Sequence, residues 1–202
     1  IITHTETGKD HIIHHMGVDA EKISVVPHGV HEWLAPADES EVEAIREEYE
    51  LRRPFVLFLG GITPMKNIGG LLDAFSIVRE SHPELALVLV GFRRFKDEAV
   101  FKRIQESDLA EHVQYLGYVP DDDLAGLYSA ATVFVLPSWY EGFGIPVLEA
   151  MACGCPVVAS TGGALPEVCG DAALLADPDD APEMADAIGT IVEDEDVRAE
   201  CV

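Results

Sequence analysis

The residues best suited to chemistry lie in one stretch, Pro137 to Gly163, which reads PSWYEGFGIPVLEAMACGCPVVASTGG. It follows the apolar run TVFVL and opens a helix near Ile145-Pro146, where a proline in the first turn loses nothing by lacking an N–H. Gly142 and Gly144 stand just before that N-terminus. Free N–H groups and the helix dipole favour an anion there, and glycine lets the backbone approach a ligand closely. Two carboxylates bracket the turn: Glu141 in the loop and Glu149 one helical turn beyond Ile145. Carboxylates accept hydrogen bonds from hydroxyls, so a pair flanking an anion-binding turn suits a phosphate-linked sugar. On spacing alone the same pair equally reads as a helix N-terminal acid and a surface acid.

A second stretch, Gly60-Gly61-Ile62-Thr63-Pro64-Met65-Lys66-Asn67, follows the run FVLFL. A glycine pair at a strand end with a lysine at the next helix outlines a phosphate cradle. It is not a P-loop, because Lys66 is neither preceded by glycine nor followed by Ser or Thr. Other clusters carry less. His11, His14 and His15 have helical spacing, but no fourth metal ligand is evident. Asp121-Asp122-Asp123 imitates a metal-binding acid pair and reads better as a helix N-cap with favourable first-turn charge. Cys153-Gly154-Cys155 has the wrong spacing for a redox pair and reads as packing. Trp139 and Tyr140 either flank a ligand or pack under the loop.

The elements that must position these residues are short continuous apolar runs: Phe55 to Leu59, Leu85 to Val90, Val113 to Leu116, Thr132 to Leu136 and Pro156 to Ala159. Such runs suit a sheet covered on both faces. Helical stretches alternate with them, at about Ile68 to Ser81, Asp97 to Ser107, Asp122 to Ala131 and Ile145 to Cys153. Repeated strand-helix-strand units require parallel pairing and right-handed crossovers. The pattern predicts a doubly wound, Rossmann-like α/β parallel sheet from about residue 37 to the C-terminus, with both motifs at the ligand-binding strand ends. Ahead of it, Ile1-Ile2 reads as a strand end, Glu6 to Met16 as a helix and Ile23 to Val26 as a strand. A linker from Trp33 to Asp38 then leads to a helix over Ser40 to Glu50.

The 202 residues include 37 acidic and 13 basic side chains, a formal charge of −24. That balance argues against nucleic acid as a partner, since phosphates are repelled. A hydrophobic content of 48% argues against a disordered acidic tail. No stretch approaches the ~18 consecutive apolar residues of a membrane span. Four cysteines (Cys153, Cys155, Cys169, Cys201) are too few and irregular for a disulfide scaffold and read as reduced thiols in a cytoplasmic protein. The carboxylates are scattered over every helix and loop, which suggests a halophilic protein adapted to concentrated salt. The sequence begins Ile1-Ile2-Thr3 without an initiator Met, and is expected to be a piece of a longer chain or a trimmed one.

The combination EGFGIPVLEAMACGCPVVAS, Gly162-Gly163, Pro166-Glu167-Val168, Gly170-Asp171-Ala172-Ala173 and Asp177-Pro178 resembles the retaining nucleotide-sugar glycosyltransferases of the glycogen-synthase-like group (group 1), which have the two-domain GT-B fold. Glu141, seven residues and then Glu149 match that family's paired-glutamate signature. Leu127-Tyr128-Ser129-Ala130-Ala131 and Lys66-Asn67 match as well. The resemblance implies that residues 1–36 are the tail of the acceptor domain and the hinge, and that residues 37–202 are the nucleotide-sugar-binding C-terminal domain. Glu141 and Lys66 would then be catalytic. Lys66 would hold the donor diphosphate, Glu141 the hexose hydroxyls and Glu149 the ribose. Backbone N–H groups around Phe143, Gly144 and Ile145 would meet sugar and phosphate, with Gly60, Gly61 and Gly142 lining the donor site and Tyr118 and Val119 beside the base.

No metal and no cofactor are implied: the substrate is a UDP- or GDP-linked hexose. The acceptor is a sugar, a lipid-linked sugar or a protein, held by the other domain, and peripheral membrane association of the full enzyme stays open. The chain alone is expected to bind donor without transferring it. One departure stands out. The arginine that many members carry five residues before this lysine, or immediately before it, is Gly61 or Met65 here. That leaves Arg93 or Arg94 to supply a second cation. An epimerase or phosphorylase, or a non-catalytic nucleotide-sugar-binding module, are the alternative readings.

Overall fold

The computed structural model describes residues 1–93 and 98–201. The first elements form a small parallel unit, in which β1 (Ile2–Thr3) and β2 (Ser24–Val25) pair in register and α1 (Glu6–Met16) crosses between them. The Thr5 side chain caps α1 by accepting from the Gly8 N–H, and Gly17 ends it with φ 64°. No residue of α1 is buried. Helix α2 (Glu39–Glu48) then starts at a capping box, with Asp38 and Glu41 each accepting the other's backbone N–H.

The main domain runs β3 (Phe55–Leu59), α3 (Ile68–Ser81), β4 (Ala86–Val90), α4 (Glu98–Glu106), β5 (Val113–Gly117), α5 (Asp121–Ala130), β6 (Val133–Leu136), α6 (Ile145–Ala152), β7 (Val157–Ser160), α7 (Leu165–Cys169), β8 (Leu174–Ala176), α8 (Ala181–Glu193) and α9 (Glu195–Glu200). Six parallel strands take the order β5-β4-β3-β6-β7-β8. The order reverses between β3 and β6, which pair through Val56 and Val133. At such a reversal the two following loops leave in opposite directions and open a crevice above the sheet. Those loops are the glycine pair with Lys66, and the Pro137–Gly144 stretch. All four residues of β6 and of β7 are buried, and apart from Ser160 at the end of β7 they are apolar without alternation.

Several elements depart from the sequence reading, among them the short helices α7 and α9, which it does not contain. Strand β8 is only three residues long and lies at the sheet edge, too short to show a period. Helix α8 went unread, although it buries Met184, Ala185, Ile188 and Ile191. The expected aspartate N-cap is corrected: Pro120 occupies the cap position with extended backbone, and Asp121, Asp122 and Asp123 fill the first turn. Asp123 instead accepts from the Tyr49 hydroxyl at 2.5 Å, tying α5 to α2. The expected helix start at Asp97 lies outside the described residues.

Candidate functional site

The crevice begins where β3 and β4 end. Gly91 has φ +129°, and a Cβ there would stand 2.1 Å from the Gly60 carbonyl oxygen. Two backbones in such contact leave a shallow cleft of about 220 Å³ between Gly60, Gly61, Gly91, Phe92, Tyr118 and Val119. Phe92 and Tyr118 stack with centroids 5.2 Å apart at 18°, and both rings are more than half exposed. A flat, accessible aromatic wall suits a planar ring. Tyr118 and Val119 were expected here. Phe92 was not, because one apolar residue after a glycine carries no periodic signal.

Beside this cleft the loops after β3 and β6 are joined, with the Trp139 N–H donating to the Met65 carbonyl at 2.9 Å. Lys66 ends a 3-10 turn, Pro64–Lys66, one step before α3. Asn67 then takes a left-handed conformation (φ 50°), accepts from the Gly70 N–H and donates to the Pro178 carbonyl. Lys66 Nζ lies 2.5 Å from Glu141 Oε1, and both side chains are mostly buried. The same carboxylate oxygen accepts from Ser138 Oγ at 2.6 Å. The Ser138 carbonyl accepts from Ser160 Oγ at 2.5 Å, and that oxygen accepts from the Gly162 N–H. Both serines are fully buried. Sequence reasoning missed them; small polar residues closing the apolar runs TVFVLPS and VVAS were the available signal.

The Glu141 main chain is held as closely as its side chain. Its carbonyl accepts from the Ala164 N–H at 2.9 Å. Gly163, at φ +65°, passes so near that a Cβ would meet that carbonyl oxygen at 2.3 Å. Gly144 is the N-cap of α6 with φ 95°, and Pro146 lies in the first turn. Gly142 and Ile145 are exposed beside it, and Phe143 is half-buried. Glu149, on α6, accepts from the Tyr128 hydroxyl at 2.9 Å. Burial, and then the Glu149 charge, pushes the Tyr128 phenol well above its ordinary pKa, so it remains a donor.

The structure therefore brings Lys66 and Glu141 into contact, places Gly60, Gly61, Tyr118 and Val119 in the adjoining cleft, and sets Glu149 on a separate bond to Tyr128. Met65 is exposed. The Arg93 guanidinium lies over the Phe101 ring at 4.0 Å, and Arg94 falls outside the described residues.

The N-terminal unit grips the same loop from outside. Thr5 Oγ1 donates to the Gly142 carbonyl at 3.3 Å, His28 meets the Phe143 ring edge-on at 5.0 Å, and His11 bonds the Tyr140 hydroxyl. Glu167 accepts from the N–H groups of Glu6 and Thr7 and from the Thr7 hydroxyl. His14 and His15 are exposed, and among the described residues no group of three His, Cys, Asp or Glu could hold a metal ion. The thiols stay out of the chemistry. Burial pushes Cys153 up to about 11, Cys155 to about 12 and Cys169 to about 11. At pH 8 a chromogenic disulfide reagent should leave these three unmodified until urea unfolds the chain; prompt labelling of the native protein would contradict their burial.

Comparison with known proteins shows the family and the fold. Residues 41–202 match the family described as Glycosyl transferases group 1. The O-antigen chain mannosyltransferase B of Escherichia coli is 37% identical over 200 residues, covering 98% of this chain and 52% of that protein. The mannosylfructose-phosphate synthase of Agrobacterium fabrum is 32% identical over 194 residues, covering 91% of this chain and 43% of its own. Among solved structures, Anabaena HepE in complex with UDP and glucose superposes with a TM-score of 0.88 at 27% identity, over 99% of this chain and 55% of that one. The chain spans about half the length of the curated relatives it matches. Its six-stranded parallel sheet flanked by helices matches the GT-B architecture of these neighbours. A family match running from α2 to the C-terminus, on a fold shared with those structures, establishes that this chain belongs to the group 1 glycosyltransferases.

Proposed function

We propose that this chain carries the donor half of a retaining hexosyltransferase that works in the cytoplasm on a UDP- or GDP-linked hexose. The observation that carries the reading is the Lys66–Glu141 pair at the strand reversal, between the ring-walled cleft and the N-terminus of α6. HepE structures holding UDP or UDP-glucose, and relatives named as mannosyltransferases, support it. In this reading the base lies against Phe92 and Tyr118, and Glu149 takes the ribose. The diphosphate draws Lys66 away from Glu141, whose freed oxygen accepts from a hexose hydroxyl. As the bond from the anomeric carbon to the leaving oxygen breaks, negative charge grows on the diphosphate. Lys66 and the N–H groups at Phe143, Gly144 and Ile145 are fixed to receive it, so preorganised charge lowers the barrier. Residues 1–36 belong to the acceptor domain and hinge, and a longer protein presents the acceptor.

Calorimetry with UDP, UDP-glucose, GDP and GDP-mannose tests this directly. One base should be bound, weakly, with most of the affinity in the diphosphate, and no transfer should follow. Absence of binding for all four at millimolar concentration would refute the reading.

We also propose that the acidic surface is an adaptation to concentrated salt. With 37 acidic against 13 basic side chains, carboxylates far outnumber the cations that could offset them. Screening reaches about 10 Å at ~0.1 M and about 3 Å at ~1 M, so salt removes most of that repulsion. The melting temperature should rise by several degrees between 0.1 M and 2 M potassium chloride (concentrations on the order of those just compared). A value that stays level or falls would overturn this proposal.

A further inference from the structure

We propose that the N-terminal edge of the sheet carries a second anion site, a pocket for a single phosphoryl group lined by Arg53 and His112 and backed by Arg79. It lies at the opposite end of the strands from the donor crevice and does not depend on the donor reading. The five residues of β4 separate the two, roughly 16 Å at about 3.3 Å per residue.

The three side chains converge from separate elements. Arg53 precedes β3, Arg79 is in the last turn of α3, and His112 precedes β5. His112 Nδ1 is 2.9 Å from an Arg53 guanidinium nitrogen, and Nε2 is 2.9 Å from an Arg79 guanidinium nitrogen. A guanidinium only donates, and a neutral imidazole has one lone pair and one N–H. Only one of the two contacts is therefore a hydrogen bond; in the other, N–H faces N–H. Protonating His112 removes the remaining acceptor and adds a third positive charge. Burial, then Arg79, then Arg53, accordingly hold the His112 pKa below its usual value.

The cluster also lacks acceptors elsewhere. Arg79 Nε is buried without any hydrogen-bond partner. Among the described residues no carboxylate lies within 4.0 Å of either guanidinium. In a chain where acids outnumber bases so heavily, two arginines turned toward each other across a histidine need a reason. A cavity of about 350 Å³ opens beside the cluster, with Arg53 and His112 in its wall next to the apolar Phe55, Ala86 and Val88, and Arg79 behind His112. Glu50 and Glu111 share its lining, and Glu111 and Asp108 act on His112 at longer range. These carboxylates oppose a polyanion, which limits the ligand to a small one.

A phosphoryl group supplies what the cluster lacks: several acceptor oxygens and negative charge in one small body. Arginine forks suit such an oxyanion, through charge-assisted bonds. The anion draws the exposed Arg53 fork off Nδ1, and the protonated His112 then donates from Nδ1 to the anion, so binding and protonation of His112 reinforce each other. A soluble phosphate ester and a phospholipid headgroup share this chemistry.

The test is NMR of the His112 ring nitrogens at constant pH, titrated with inorganic phosphate against potassium chloride of equal ionic strength. The protein carries Lys66→Ala, so that the donor site contributes little. Phosphate should increase the protonated fraction of His112 saturably, chloride should not, and Arg53→Gln and Arg79→Gln should each abolish the response. Arg53 is exposed, so its variant decides the matter if Arg79→Gln fails to fold. Sedimentation with vesicles containing phosphatidic acid then tells the sources apart: co-sedimentation lost in Arg53→Gln marks a headgroup, and its absence a soluble ester. An equal response to phosphate and chloride, or one undiminished in Arg53→Gln, would overturn the proposal.

Discussion

Gly91→Ala should cost roughly 2–6 kcal/mol, combining overpacking of about 1–3 kcal/mol with a left-handed backbone strain of similar size. The methyl group would enter the space of the Gly60 carbonyl, at 2.1 Å, and neither neighbour is a side chain that can swing away. To relieve the clash, the ends of β3 and β4 must separate, and the ring-walled cleft lies between them. At about 2–4 °C per kcal/mol for a chain of this size, the melting temperature should fall by about 10 °C. Nucleotide binding should be lost with it. Gly17→Ala is the control: Gly17 is also left-handed, but open space surrounds its missing Cβ. That variant should lose only about 1 kcal/mol. Equal melting temperatures for the two variants would mean that the Gly60–Gly91 approach does not constrain the fold.

Lys66→Ala should lower affinity for a bare nucleoside diphosphate roughly 10–150-fold, the equivalent of one charge-assisted bond of about 1.5–3 kcal/mol. Glu141→Gln should act in the opposite sense on that ligand. Without its carboxylate partner at 2.5 Å, Lys66 has no ion pair to exchange for the diphosphate. Affinity for the bare diphosphate should hold or rise, while affinity for the sugar ester falls. In the ligand-free protein, a double-mutant cycle on stability should show coupling of about 0.5–3 kcal/mol, as for residues in direct contact. Calorimetry on the four proteins of the cycle decides it. If Glu141→Gln weakens bare diphosphate binding as severely as Lys66→Ala, the division of labour proposed here is wrong.

What could be read from the sequence follows how local each signal is. Strand β3 and helices α1 and α3 have the bounds that their apolar runs and periodicity indicate, because an apolar run or a capped amphipathic turn is complete within a few residues. The parallel sheet followed from the alternation of such units. Lys66, Glu141 and the glycines could be singled out because each loop carries its own unusual composition. The contact between Lys66 and Glu141 spans 75 residues of chain, and on spacing alone nothing announced it. Ser138 and Ser160 are ordinary serines until the sheet sets them side by side. The Arg53–His112–Arg79 cluster is equally silent, with partners 59 and 33 residues apart. At Asp121 a local rule failed because Pro120 already supplied the extended backbone of the cap, leaving the aspartates inside the first turn.

The Glu167 carboxylate has a consequence in the time domain. First-turn amides of a helix have no partner within it, and α1 buries none of its residues, so its leading protons should exchange with solvent almost at once. Here the Glu6 and Thr7 amides instead point into a carboxylate 161 and 160 residues further along the chain. Burial alone would raise the Glu167 pKa, but the Thr7 and Glu6 amides and the Thr7 hydroxyl hold it below the ordinary glutamate value. The clamp therefore persists under mildly acidic conditions that protonate ordinary glutamates, and releases only at lower pH. Those two amides form a clock for the attachment of the N-terminal unit: slow deuterium uptake means the unit rides with the sheet, and fast uptake that it has swung away.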